Sequence, residues 1–279
     1  MRRLLQLCAA SLLAALALAQ SPPPEARQQA PRLSSPEQFK EEFAAVPCRN
    51  EERLAAARAL FEKAGAAASD VSTEAYKDVE NLVVVKKGET EERVVVGAHY
   101  DKVADGCGAL DNWTGVVALA HLFGTLRDVP LRKTLVFVAF GKEEKGLVGS
   151  RAMAKAIDKE GAARYCAMIN IDTLGLAPPQ VADNMSSRKL RDLAAAAAKE
   201  MKMPFASAGV AGADSDSTPF IARRIPAVTI HGMSRDWREL LHTGRDRAGK
   251  VNPLHVYMGY RLALALIARV DAAPCDAFR

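Results

Sequence analysis

Nowhere in this chain do lysines and arginines gather into a cluster interleaved with aromatics, so the footprint of a nucleic-acid-binding protein is missing. The formal net charge of +5 is small and diffuse, and a surface of that kind serves solubility rather than polyanion binding. No two cysteines have the C-x-x-C spacing, which argues against a structural zinc site. No apolar run reaches the ~20 residues that span a bilayer. Internal repeats and low-complexity tracts are also lacking, and the Ala194 to Ala198 run is a stretch of good helix former. The connections between periodic segments are too short to hide an inserted domain. Nearly half of the chain is apolar, 49%, which at this length supports one well-buried domain.

What is there begins with an export layout. Arg2 and Arg3 form a positive start, Leu4 to Leu18 an apolar run, and Ala17-Leu18-Ala19 a small-residue cleavage site. Residues 1–19 are therefore expected to be a signal peptide, with the mature chain starting at Gln20, secreted or periplasmic, and not stably inserted in a membrane after cleavage. Cys8 sits inside the apolar run, where lipid attachment is not expected. Removing Arg2 and Arg3 lowers the formal charge from +5 to +3. Residues 20–45, rich in Pro, Gln, Arg and Ser, read as a flexible leader, and residues 46–279 as one domain. Four cysteines remain: Cys48, Cys107, Cys166 and Cys275. They allow three connectivities, of which the bridge from Cys48 to Cys275, closing nearly the whole domain, is the favoured expectation.

The periodicity alternates. An amphipathic helix is expected from Asn50 to Gly65. The β-branched runs Leu82–Val85 and Arg93–Val96 follow, separated by Lys86-Lys87-Gly88-Glu89-Thr90 in a hairpin-like pair. A helix from Trp113 to Leu126, a strand from Leu135 to Phe140, a helix from Leu147 to Ile157, a strand from Tyr165 to Ile171 and a helix from Ser186 to Met201 repeat the pattern. Ser217-Thr218-Pro219 starts a further helix, Ala227–Ile230 is a buried strand, and Pro253 to Val270 is a closing helix. Such alternation predicts an α/β fold with a mostly parallel central sheet and helices on both faces.

Chemistry-bearing residues fall where apolar runs stop. His99 follows Val94-Val95-Val96-Gly97-Ala98, Glu143 and Glu144 follow the Leu135–Phe140 run, and Asp172 follows Ala167-Met168-Ile169-Asn170-Ile171. The carboxyl ends of strands are where open α/β sheets bind ligands. With Asp111 and His242, these positions supply two imidazoles and three carboxylates as metal ligands, a set that suits two zinc ions, with cobalt or manganese as substitutes. Asp101 lies two residues beyond His99, so in an extended segment both side chains point one way and a carboxylate can fix the His99 tautomer. Glu143 and Glu144 are neighbours that point in different directions, Glu143 as general base and Glu144 as ligand.

The competing residues are few. His121 and His255 lie in helices, and His231, at a strand end, has no nearby carboxylate in sequence. Asp105 shares a loop with Asp111 but lacks the helix directly behind it. Asp214 and Asp216 read as a helix cap and a loop stabiliser, and Met201 and Met203 as core or loop filler.

At this point the chain resembles the M28 family of metallo-aminopeptidases. The resemblance rests on His99-Tyr100-Asp101, on Asp111-Asn112-Trp113-Thr114-Gly115, on Phe140 through Ser150, on Ile171-Asp172, on Ser215 through Phe220, and on His242-Thr243-Gly244-Arg245-Asp246, in order over residues 82 to 246. It implies the zinc-exopeptidase architecture. His99 and Asp172 would hold one metal, Glu144 and His242 the other, and Asp111 would bridge. Glu143 would be the base, with Asp101 and Asp246 outside the ligand set. It also implies peptide substrates, cleaved at the N-terminal bond. Lys142 and Trp113 stand where smaller residues are usual, which bears on the substrate pocket. Two alternatives stay open: a glutaminyl cyclase-like zinc transferase, and an inactive binding protein that keeps the fold. The preferred side chain and the oligomeric state are not legible.

Overall fold

The computed structural model describes residues 32–279. The signal segment, Cys8 and the first part of the leader lie outside the described residues. The described chain opens with α1 (Pro36–Ala44), at whose start the Ser35 amide donates to the Gln38 side chain at 2.8 Å. This corrects the leader expectation for its last residues. Phe39 and Phe43 are buried, and the Phe39 ring lies 4.2 Å from His121 and 5.4 Å from Tyr260. Two Phe at helical spacing give that segment an apolar face that its Pro-rich flank conceals.

The elements then run α2 (Asn50–Lys63), β1 (Val71–Tyr76), β2 (Val79–Lys86), β3 (Arg93–His99), α3 (Thr114–Leu126), β4 (Thr134–Phe140), α4 (Val148–Ala156) and α5 (Lys159–Ala162). Next come β5 (Tyr165–Ile171), β6 (Gln180–Ala182), α6 (Arg188–Glu200), β7 (Ala206–Ala208), α7 (Ser217–Ala222), β8 (Ala227–His231) and α8 (Pro253–Ala272). The expected helices and strands are all present, with boundaries shifted by a few residues.

Eight strands form one sheet in the order β1-β2-β4-β3-β5-β8-β6-β7. Its centre, β4-β3-β5-β8, is parallel. The expected hairpin between β2 and β3 does not form. β4 lies between them, antiparallel to β2 and parallel to β3, and the true hairpin partner of β2 is β1, through the Lys77-Asp78 turn. β3 and β4 are apolar on both faces and therefore take central, doubly covered positions.

Alternation along the strands sorts the core into two layers. Val94, Val96, Leu135, Phe137, Ile169 and Ile171 pack under helices that include α2, α3 and α8. Val95, Val136, Val138, Phe140 and Met168 face Met153 of α4 and Phe220 of α7. Helices thus cover both faces, and the carboxyl ends of the parallel strands converge at one edge.

The disulfides are Cys48–Cys107 and Cys166–Cys275. The expected Cys48–Cys275 bridge is wrong. Cys48 precedes α2, which packs beside the loop after β3 where Cys107 lies, whereas Cys275 follows α8 and meets Cys166 at the start of β5. Distance along the chain was no guide, because the two ends of the domain reach opposite ends of the sheet.

Candidate metal centre

His99 is the last residue of β3, and Asp172 is the first after β5, its amide donating to Ile230 at 2.9 Å. Glu143 and Glu144 sit on a single helical turn directly after β4, and Asp111 on the turn that enters α3. His242 comes from the loop after β8, with a backbone φ of 59°. Four loops and strand ends therefore bring the five expected ligands together.

Asp111 is at the centre. Its Oδ1 lies 3.1 Å from His99 Nε2, and its Oδ2 lies 3.1 Å from His242 Nε2. On one side, His99 Nε2 is 3.5 Å from Asp172 Oδ1; on the other, His242 Nε2 is 3.2 Å from Glu144 Oε2. Donor atoms of His99, Asp111 and Glu144 fall within 4.8 Å of one another. Glu143 stands beside this set, its Oε2 4.0 Å from His99 Nε2.

The surroundings hold these groups in place. The Asp101 carboxylate accepts from the amides of Glu143 at 2.9 Å and Glu144 at 3.2 Å, so it fixes the Glu143-Glu144 turn. Its contact with His99 is looser: the Asp101 carboxylate is 3.6 Å from Nδ1, while the Asp101 backbone carbonyl is 3.1 Å away. Asp246 accepts from the amides of Leu110 at 2.7 Å and Asp111 at 3.2 Å, tying the His242 loop to the Asp111 turn. Asn112 donates to the Ile171 carbonyl and accepts from the amides of Gly115 and Thr173. A Cβ at Gly115 would lie 2.5 Å from the Asn112 side chain and 2.7 Å from the Ile171 carbonyl, so glycine is required for that approach. Ser215 Oγ donates to Asp172 Oδ2 at 2.5 Å.

Behind the centre lies Arg53, fully buried. It donates to the carbonyls of Tyr100, Pro47, Cys107 and Gly108, and its guanidinium is 5.0 Å from the Trp113 ring. Burial lowers its pKa to about 10, although Asp101, Asp111, Asp246 and Glu144 oppose the shift. Trp113 therefore forms a buried wall beside the Asp111 turn. Lys142 is drawn away to Asp78, 3.1 Å distant.

The electrostatics show what this donor set asks for. Burial opposes protonation of His99, yet Glu143, Asp101, Asp111 and Asp172 together raise it well above its ordinary value. Hydrogen bonds to Asp111 and Glu144 raise His242 to about 10. Burial opposes ionisation of Asp111, but hydrogen bonds from His242 and His99 hold it well below the carboxylate range. Burial pushes Glu143 well above that range, with Asp216, Asp172 and Asp111 adding to it and His99 opposing. Glu144 is raised by burial against its hydrogen bond from His242. Two imidazoles and four carboxyl groups crowd one another here, and Glu144 Oε1 is buried without a hydrogen-bond partner among the described residues. Closely set imidazole and carboxylate donors that share protons for want of another cation suit divalent ions.

The competitors fall away. Asp105 is exposed, and His231 is not within ion-pair distance of any of these carboxylates among the described residues. Asp214 stabilises its loop, with Oδ1 accepting from the Ser215 amide and the Thr218 hydroxyl. Asp216 does not cap α7: its side chain accepts no hydrogen bond from the amides of that helix, and burial raises it to about 7. Of the surrounding residues, Ser215 entered the sequence reading only as part of a motif and Asp216 only as a cap or loop stabiliser, while Arg53 was not singled out at all. Arg53 carries no local signal, since it reads as one more polar position of an amphipathic helix.

The profile of Peptidase family M28 matches residues 81–266. Aminopeptidase YwaD of Bacillus subtilis (strain 168) is 33% identical over 99 residues, 34% of this chain and 22% of that one. Among solved structures, BSAP, a zinc aminopeptidase from Bacillus subtilis, superposes with a TM-score of 0.63 at 24% identity, covering 71% of this chain and 52% of that one. A glutaminyl cyclase from an Acidobacteriales bacterium gives 0.74 at 18% identity, covering 91% of this chain and 99% of that one. The matched stretch thus spans about a fifth of YwaD and half of BSAP.

Proposed function

Because the chain belongs to peptidase family M28, we propose that it is an exported metallo-exopeptidase that removes the N-terminal residue of peptides with two divalent ions, zinc in the first instance. The observation that carries this reading is the placement of Asp111, with one carboxylate oxygen 3.1 Å from each of two histidines that face opposite flanks of the site. His99 and Asp172 would hold one ion, Glu144 and His242 the other, and Asp111 both. When bound, such a pair supplies a lowered water pKa and polarisation of the scissile carbonyl.

The rest is done by the chain. Glu143 takes the proton of the attacking water and returns it to the leaving amine. Its carboxylate stands beside the ligand set, 4.0 Å from His99 Nε2, within reach of a water held there. Asp101 aims Glu143 by gripping its backbone amide, and Trp113 and Arg53 close the rear of the site. Two disulfides support export, since such bonds persist in oxidising compartments.

A second reading is favoured by one observation, the full-length likeness to a glutaminyl cyclase. Elemental analysis of the dialysed mature protein, followed by digestion of aminoacyl, N-acetylated and Gln-initiated peptides, separates the two. Two equivalents of metal, release of the free N-terminal amino acid and no cleavage of acetylated peptides are expected. One tightly held ion, no gain in activity with added zinc or cobalt, and ammonia released from Gln-initiated peptides would replace the peptidase with the cyclase.

A further inference from the structure

Beside the centre, between the end of β8 and the segment around β7, lies an open cavity of about 730 Å³. The register places it there. Asn170 pairs with Thr229 and Ile171 with Ile230, so one further step sets Asp172 next to His231, with both side chains on the face that carries Asn170 and Thr229. His231 lines the cavity and is itself buried. Its Nδ1 accepts from the Met233 amide at 3.3 Å, which leaves the proton on Nε2, and Nε2 has no hydrogen-bond partner among the described residues. Burial holds this imidazole neutral, with a pKa of about 4, despite the charge of Asp172 nearby. The cavity therefore has a fixed N–H donor one strand away from a proposed metal ligand.

The walls are apolar, with Phe205, Val210, Met233 and Trp237 among them, but two arginines also line the space. The Arg238 guanidinium lies 4.3 Å from the Trp237 ring, and its Nη2 donates to the Ala211 carbonyl at 2.5 Å, which brings the two lips of the cavity together. Arg238 and Arg235 are exposed at its mouth, and neither has a carboxylate within ion-pair distance among the described residues. Two cations with no carboxylate beside them, at the mouth of an apolar cavity, are complementary to an anion carried on an apolar stem.

We infer that this cavity is a subsite for a substrate carboxylate, with apolar walls taking the stem, Arg238 and Arg235 binding the carboxylate, and His231 Nε2–H donating to a substrate carbonyl. The inference rests on the peptidase reading and narrows it to peptides with an acidic side chain or a free C-terminal carboxylate close to the scissile bond.

The test uses the Glu143→Gln protein and tryptophan fluorescence, with Trp237→Phe to assign the signal to the cavity. The probes are Leu-Glu, Leu-Glu amide, Leu-Gln and Leu-Gln amide. These separate the side-chain carboxylate from the terminal one. At least one carboxylate-bearing probe should bind about tenfold more tightly than Leu-Gln amide. Arg238→Met should collapse that preference to within about twofold, and His231→Phe should weaken all four probes. Equal binding of the four, or a preference that survives in Arg238→Met, would overturn the subsite. The same four peptides are then given to the unaltered enzyme. Hydrolysis without any preference removes the subsite and leaves the peptidase. A preference in binding that Arg238→Met abolishes, with no hydrolysis, keeps the subsite and removes the peptidase.

Discussion

The two flanks of the centre are built differently. His99 is the last residue of a central strand and only 1% exposed, and its neighbour Asp172 is fixed by the sheet and by Ser215. His242 stands in a loop with its side chain 53% exposed, held to the rest by its contacts with Asp111 and Glu144 and by the bonds of Asp246, four residues on, to the Leu110 and Asp111 amides. The sheet orders the first flank before any ion binds, whereas loop-to-loop hydrogen bonds order the second. Preorganisation lowers the cost of binding, so the His99 flank should hold its ion more tightly and the His242 flank should exchange first.

The largest effect expected is at Glu143, beside the His99 flank. Glu143→Gln keeps the size of the side chain and removes the proton acceptor, so turnover should fall by at least ~10²-fold while metal content stays unchanged. Elemental analysis beside steady-state kinetics decides the matter. Loss of metal, or retained activity, would mean that Glu143 and Glu144 have exchanged roles.

Replacing the histidines one at a time sharpens the comparison. His99→Ala should reduce occupancy of both ions, because it removes the contact that positions the shared Asp111 from the sheet side. His242→Ala should lower the affinity for one ion by about tenfold or more and leave the other in place. His231→Ala should leave metal content unchanged. Competition with a chromogenic chelator measures all three. If His242→Ala and His99→Ala prove indistinguishable, the flanks are energetically equal and the preorganisation argument fails.

How much of this was legible in the sequence depended on where each residue sits. The candidate residues at strand ends were legible, since a saturated apolar run stopping before His99, Glu143-Glu144 or Asp172 marks a buried parallel strand and the end at which such sheets bind ligands. The sheet order did not, because nothing local says that β4 slips between β2 and β3. Register and order come from the burial of whole strands, a non-local property. His242 emerged only through its resemblance to a family motif, as loop residues lack periodicity. Phe39 and Phe43 were masked by the prolines around them. The cysteine pairing failed because four cysteines carry no geometric information until the fold brings them together. Arg53 was invisible, and Asp216 was given the role of a cap or loop stabiliser, for a related reason: a charged residue that the fold buries looks, in sequence, like any solvated one.

The smallest effects concern the disulfides, which repeat the same contrast at a larger scale. Cys48–Cys107 anchors the loop that joins His99 to Asp111, and Arg53 grips the Cys107 carbonyl from behind. Cys166–Cys275 lies at the start of β5, at the end of the sheet away from the centre. Their sequence separations, 59 and 109, are of one order. In the chain-entropy model each closure contributes up to about 4 to 5 kcal/mol, with delivered values often lower. Replacing both cysteines of either pair with serine should therefore lower the melting temperature by similar amounts. Function should separate them. The Cys48/Cys107 variant should lose metal affinity and activity by a few fold in its folded fraction, because the loop before Asp111 gains freedom that ion binding must then remove. The Cys166/Cys275 variant should keep both. Scanning calorimetry with specific activity corrected for folded protein tests the pair. Equal loss of activity in the two variants would show that the disulfide near the centre has no special hold on it.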